Sequence, residues 1–195
     1  MLPLPYSWPM AIPFWAAFLW TAAGELPMAL RQNAMPTAAT DRGSKLVVEL
    51  ATAIGAIVAF VAAASLPAFA ITRARVPIYA IGVACLAAAG ALRRHCFRML
   101  GKSFTFDVRV APDQLVVERG AYKYIRHPSY TAGFLAFVGI GLALGNWLSL
   151  AVTVIVPGLA YIYRIRVEEA ALADTLGVAY TDYMRRTRRL IPFVL

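Results

Sequence analysis

The sequence predicts an all-α integral membrane protein with about five transmembrane helices, and three observations carry the prediction. Hydrophobic residues make up 61% of the 195 and charged residues only 15%, with a mean hydropathy of +0.65. That leaves too little polar surface to coat a soluble globule. The apolar residues gather in runs approaching the roughly 20 residues that a helix rising ~1.5 Å per residue needs to cross ~30 Å of hydrocarbon. The charges gather between those runs and sum to +9. No basic face interleaved with aromatics marks a nucleic-acid partner, so the charge belongs at a membrane surface.

Taken in order, the first span runs from about Trp8 to Ala23, with Trp8, Phe14, Trp15, Phe18 and Trp20 suited to an interface belt and Pro9 and Pro13 to its first turns. No basic n-region precedes it and its first charged residue is Glu25, so it reads as a span and not as a leader. A loop over 24–45 carries Glu25, Pro27, Arg31, Pro36, Asp41, Arg42, Gly43 and Lys45. The second span follows from about Leu46 to Phe69, broken late by Pro67, with Glu49 near its start at the interface.

The third span, Val76 to about Leu92, is rich in Ala and Gly, which let helices approach closely. Cys85 within it and Cys96 just beyond it have neither C-x-x-C spacing nor a second pair, so neither a disulfide nor a metal site is indicated. Residues 93–128 form the longest polar stretch, in which the alternation of Phe104, Phe106, Val108 and Val110 predicts extended structure and Pro112-Asp113 a turn.

The fourth span, about Ser129 to Leu144, and the fifth, about Trp147 to Tyr163, are joined only by Gly145-Asn146, which forces an antiparallel hairpin. Gly141 and Gly145 offer a small-x-x-x-small contact. An amphipathic helix over Arg164 to about Thr187 follows, with Val167, Leu172, Leu176 and Tyr180 at helical spacing. Arg185, Arg186, Arg188 and Arg189 close it, suited to anionic headgroups. With five spans, all of the 19 Lys and Arg except Arg73 and Arg75 fall on one side, which the positive-inside tendency makes cytoplasmic.

The chemistry gathers in Gly120–Tyr130. Arg126-His127-Pro128 stands where the long loop meets the fourth span, with Pro128 placed at a first helical turn and free backbone N–H groups behind it. Such a cluster serves either as an interfacial anchor or as a ligand site. Arg164 and Glu168, spaced i, i+4, share a helix face. As an ion pair they contribute only ~0.3 kcal/mol, in the weaker orientation, so helix stability is a poor motive for them.

The joint pattern resembles the isoprenylcysteine carboxyl methyltransferase family and its relatives among phospholipid methyltransferases. The resemblance covers about residues 97–195. It rests on Leu100-Gly101 followed by Ser103-Phe104, then Gly120-x-Tyr122-x-x-x-Arg126-His127-Pro128-x-Tyr130-x-x-Gly133 and the Asn146 turn. Arg164-x-x-x-Glu168-Glu169, Leu176-Gly177-x-x-Tyr180-x-x-Tyr183 and Leu190-Ile191-Pro192 complete it.

The resemblance implies N-terminal transmembrane helices 1–3 over residues 1–92 and a catalytic region over 93–195. It implies S-adenosyl-L-methionine in a cytoplasmic pocket formed by the long loop, the helical hairpin and the C-terminal helix, with no metal. By the same resemblance Leu115, Val116, Val117, Tyr122, His127, Pro128, Ser129, Tyr130 and Glu168 contact the cofactor. Gln114 stands where many members have His, and Arg164 matches the arginine that faces the methyl acceptor.

The implied reaction is carboxyl methylation of a lipophilic, prenylcysteine-like or other lipid acceptor at a bacterial inner membrane or its equivalent. The partners are thus a lipidated or lipophilic substrate and membrane lipid, with no nucleic acid. An ionised carboxylate needs no general base, whereas methylating a phospholipid amine or a phenolic lipid would ask one of His127 or Glu168. An NADPH-dependent sterol-type reductase and a non-catalytic scaffold or transporter are the competing readings.

Overall fold

The computed structural model describes residues 2–26, 39–101, 104–110 and 114–190. Within them lie six α-helices and no strand, only isolated bridges between Ala70 and Asn146 and between Ile125 and Arg188. The helices are α1 (Ala11–Ala23), α2 (Ser44–Ser65), α3 (Arg75–Leu100), α4 (Pro128–Leu144), α5 (Trp147–Leu176) and α6 (Val178–Arg186). Three of them, α2, α3 and α5, are long and apolar enough to cross a membrane, and α1 and α4 are shorter apolar helices of 13 and 17 residues. The chain is an integral membrane protein.

Each helix end has a local cause. Pro13 falls in the first turn of α1, while Pro9 precedes the helix, which starts three residues later than the sequence predicts. Helix α2 opens on Gly43, at φ 72°, and on the Asp41 carboxylate, which accepts from the Lys45 backbone N–H at 2.9 Å. It stops at Ser65, and Pro67–Phe69 forms a short 3-10 turn in place of the expected last helical turn.

The third helix does not end at Leu92. It continues two turns to Leu100, closed by Gly101 at φ 54°, so Cys96 is a buried residue inside α3 and not beyond it. Pro128 takes the first position of α4, and the Asn146 side chain accepts from the Ser149 N–H at 3.1 Å to cap α5.

The fifth helix also outruns its expected end, continuing unbroken from Trp147 to Leu176. The predicted Arg164–Thr187 helix is therefore the last part of α5 plus a separate α6. Gly177, at φ 57°, makes the break between them.

Helix α3 packs on α4 and α1, and α5 packs on α2 and α4. A Cβ on Gly82 would stand 2.7 Å from the Gly139 carbonyl oxygen, and one on Gly139 2.8 Å from that of Gly82, so α3 and α4 meet backbone to backbone. Gly141 gives α5 the same closeness at Leu150 and Thr153. Gly145 has nothing within 4 Å of its missing Cβ; at φ 63° it caps α4, and its carbonyl accepts from the Ile71 N–H at 2.8 Å. Phe14, Ala59, Tyr79, Leu86, Ile140 and Leu144 form the apolar centre, while Leu46, Leu50, Ile54, Ile57 and Val61 of α2 stand exposed where lipid would meet them.

Residues 104–110 and 114–119 form no strand. Phe104 packs edge-on against Phe97 and Phe106, with ring centroids 4.5 and 5.3 Å apart, so the alternation serves packing and not a ladder. The Pro112-Asp113 turn, Pro27, Arg31, Pro36 and Ile191-Pro192 lie outside the described residues.

Candidate active site

At one end of the bundle the helices diverge around a cleft that encloses about 1220 Å³ of space, counting its open mouth. The residues singled out in the sequence converge on it from three parts of the chain. Gln114, Leu115, Val116 and Val117 come from the segment after α3, and Tyr122, His127, Ser129 and Tyr130 from the turn into α4 and its first residues. Arg164 and Glu168 come from α5. Pro128 is fully buried and does not border the cleft; as the first residue of α4 it sets the direction in which Ser129 and Tyr130 enter.

Tyr130 is the hinge of the polar wall. Its hydroxyl donates to Glu168 Oε2 at 2.6 Å and accepts from Arg164 Nε at 2.9 Å, so it bridges the two charges that the i, i+4 spacing puts on one face. No other described residue hydrogen-bonds the Glu168 carboxylate.

Arg164 is only 4% exposed and is held on every nitrogen. Beyond Tyr130 it donates to the Asp41 carboxylate, to Ser44 Oγ at 2.8 Å and to the Phe106 carbonyl. Four of the five guanidinium N–H groups are thus engaged. A two-bond grip on an acceptor would need two free ones.

Asp41 is buried and accepts from Lys45 N–H, Val108 N–H, Ser44 Oγ and Arg164. Burial opposes its ionisation, but the Lys45 and Val108 N–H groups, the Arg164 charge and the Ser44 hydroxyl outweigh it and hold its pKa below the ordinary carboxylate value. One acid therefore ties the turn before α2, the 104–110 segment and α5 into a single support.

A second cluster lies behind the cleft. Glu169 is buried, with Arg126 Nε at 2.8 Å and His127 Nε2 at 3.3 Å from Oε1, and Arg189 Nε at 3.0 Å from Oε2. Arg126 also donates to the Met184 carbonyl at 2.9 Å and to the Thr187 carbonyl, closing the C-terminal end of α6. Residues 188–190 then run beside 124–131. Arg126 N–H bonds the Arg188 carbonyl at 2.7 Å, His127 N–H the Arg189 carbonyl at 3.0 Å, and Thr131 Oγ1 the Leu190 carbonyl at 2.7 Å. The three residues make a strap across the start of α4.

Tyr122 borders the cleft with a buried hydroxyl that makes no hydrogen bond of normal geometry, though the Cys96 thiol lies close enough to interact. Burial, followed by the Glu168 and Glu169 charges, raises the Tyr180 pKa at the α6 wall, so that phenol stays neutral.

Asp41, Ser44, Arg93, Tyr161 and Glu169 were not singled out as site residues in the sequence. Arg93 borders the cleft, pairs with Glu25 at 3.0 Å and bonds the Ser129 carbonyl at 3.0 Å. Its signal was a charge one residue past an apolar run, which reads as a loop start. Tyr161 borders the cleft because Gly133 leaves room for its ring: a Cβ there would stand 3.1 Å from Tyr161 Cζ. Asp41 gave no signal, sitting among other charges, and Glu169 stood in the Arg164-x-x-x-Glu168-Glu169 pattern without a role of its own.

The profile describing the isoprenylcysteine carboxyl methyltransferase (ICMT) family matches residues 80–174, which hold most of this cleft. The protein-S-isoprenylcysteine O-methyltransferase of Schizosaccharomyces pombe is 33% identical over 117 residues, 59% of this chain and 49% of that protein. That of Saccharomyces cerevisiae is 35% identical over 96 residues, 48% of this chain and 40% of that protein. The chain thus spans about half the length of the curated relatives it matches, or less. A solved structure of the eukaryotic intramembrane Ras methyltransferase ICMT superposes with a TM-score of 0.62 at 25% identity, covering 75% of this chain and 52% of that one. Over residues 80–174, just under half of its length, the chain is similar to the isoprenylcysteine carboxyl methyltransferase family.

Proposed function

We propose that the chain transfers a methyl group from S-adenosylmethionine to the carboxylate of a lipophilic, prenylcysteine-like acceptor, at the cytoplasmic face of its membrane. The reading is carried by one observation: side chains from 114–117, 122–130 and 164–168 border a single cleft at the end of a membrane bundle. The relatives named above as isoprenylcysteine O-methyltransferases support the reaction class. Residues 93–195 supply most of this wall, and residues 1–92 the helices that support it together with Lys45, Val48 and Glu49.

The cleft fits the methyl donor. The buried Tyr122 hydroxyl has only the Cys96 thiol close to it, and one Glu168 carboxylate oxygen is bonded by no described residue. These two meet hydroxyl, amino or ammonium groups, while the side chains of Leu115, Val116 and Val117 suit the flat apolar part of a nucleoside. When bound, S-adenosylmethionine supplies an activated methyl on a sulfonium.

The chain's own task is then to orient and to exclude water. Arg164, fixed by Asp41 and Ser44, holds Tyr130, and Tyr130 fixes Glu168. The one Arg164 N–H that no described residue engages is left for the acceptor carboxylate. An ionised carboxylate needs no proton removed, so holding donor and acceptor in line suffices, a contribution of ~7 kcal/mol or more. Val48 and Glu49 of α2 also border the cleft, so an apolar tail enters between helices past Val48.

The test is incubation of the purified chain with methyl-labelled donor and an N-acetylated, farnesylated cysteine, beside lipid extract from its own source. Base-labile label in the farnesylated acid supports the reading. Label only in phospholipid, or none in any lipid fraction, overturns it.

A further inference from the structure

Glu168 and Glu169 are neighbours on α5, yet residues one apart on a helix point about 100° away from each other. Glu168 borders the cleft, and Glu169 turns behind it to the C-terminal strap. Two guanidiniums, Arg126 and Arg189, sit on the Glu169 carboxylate at 2.8 and 2.9 Å. Guanidinium stays charged at any ordinary pH, so this carboxylate is held ionised, and an ionised carboxylate only accepts.

The proton in the 3.3 Å contact between Glu169 and His127 therefore sits on His127 Nε2. In the neutral imidazole one ring nitrogen donates and the other accepts. Nδ1 thus carries the lone pair. His127 borders the cleft, and its Nδ1 bonds to no described residue.

We propose that Glu169 is a positioning residue that locks His127 in the Nε2–H tautomer, making Nδ1 an acceptor for N–H or O–H groups of the bound ligand. His127 then does not grip a ligand carboxylate, the role a cationic ring would suit. What this means for the methyl donor rests on the reading above: its α-ammonium and ribose hydroxyls are donors of the required kind. The tautomer itself does not depend on that reading. Arg189 belongs to the strap, so docking of residues 188–190 and the state of the ring are linked.

The chain has only two histidines, His95 and His127, which makes the test direct. Ring nitrogen-15 spectra of the full chain, assigned with His95→Gln, should show His127 protonated at Nε2 alone at neutral pH. Glu169→Gln should mix the tautomers, because an amide both donates and accepts. It should also weaken S-adenosylhomocysteine binding at least about tenfold, the size of one hydrogen bond to a charged group. A wild-type spectrum with the proton on Nδ1, or on both nitrogens, overturns the proposal whether or not the variant folds. A folded Glu169→Gln with unchanged tautomer and affinity overturns it too. If the wild type binds no S-adenosylhomocysteine, the cofactor reading fails, and the wild-type spectrum still decides the tautomer.

Discussion

Asp41→Ala tests the support of the site without touching the cleft, since Asp41 does not border it. The substitution removes one buried acceptor from Lys45 N–H, Val108 N–H, Ser44 Oγ and Arg164. The largest effect is on Arg164, 4% exposed, which keeps its charge and loses its counter-charge. Breaking a buried pair from one side costs about 3–5 kcal/mol. In a chain of this size each kcal/mol moves the unfolding midpoint by about 2–4 °C, so a fall of roughly 10 °C is expected. The damage should reach the ligand, because Arg164 positions Tyr130 and Tyr130 positions Glu168. Asp41→Asn should do less, its amide oxygen still accepting from backbone N–H. The assay is thermal unfolding of the detergent-purified chain with and without S-adenosylhomocysteine. An Asp41→Ala variant that melts within about 2 °C of wild type and binds S-adenosylhomocysteine equally well would refute the reasoning.

Tyr130→Phe removes the bridge alone, leaving a buried guanidinium N–H and a carboxylate oxygen without their partner, and should lower methyl transfer at least about tenfold at a stability cost of about 1–3 kcal/mol; an unchanged kcat/KM would count against the bridge. Gly133→Ala places a methyl against the Tyr161 ring and should cost about 1–3 kcal/mol by overpacking, which Tyr161→Ala in the same chain should relieve in a thermal melt. Acidification should separate wild type from Asp41→Asn. A carboxyl depressed on folding adds stability above its unfolded pKa of about 3.9, and that stability is lost as pH falls through the lower folded value. Below about pH 4 wild type should therefore lose stability more steeply than Asp41→Asn, as followed by denaturant titration at each pH.

The five apolar helices were legible because their composition leaves no alternative, and the helix starts at Pro128 and Asn146 because both residues act locally. The ends of α3 and α5 were not legible for one shared reason. Hydropathy falls at Arg93 and Arg164, so each run looks finished, but backbone hydrogen bonding continues wherever the charged side chains find partners. Arg93 finds Glu25 and Ser129, and Arg164 finds Asp41 and Tyr130. The true stop after α5 was visible as Gly177 yet lay inside a convincing amphipathic period. Of the residues bordering the cleft, Tyr122, His127, Tyr130, Arg164 and Glu168 were named through the family resemblance of their joint pattern. Asp41 escaped because its importance comes from residues 67 and 123 positions away, which a local charge pattern does not encode.

The adjacency of Glu168 and Glu169 then has a physical logic that neither residue shows alone. A polar cleft at a membrane face must keep one acid ready for a ligand, and the donors that fix the surrounding backbone must not quench it. Placing a second acid one residue along the helix gives Arg126 and Arg189 their own counter-charge, about 100° away from the cleft. Glu169 absorbs those two cations and fastens the strap to α4. Glu168 is left with a single neutral donor among the described residues, the Tyr130 hydroxyl. Exchanging the two roles would bury the free acid and expose the paired one. On this argument Glu168→Gln should weaken S-adenosylhomocysteine binding at little cost in melting temperature, while Glu169→Ala should lower both. Equal losses of stability in the two variants would show that the acids are not divided in this way.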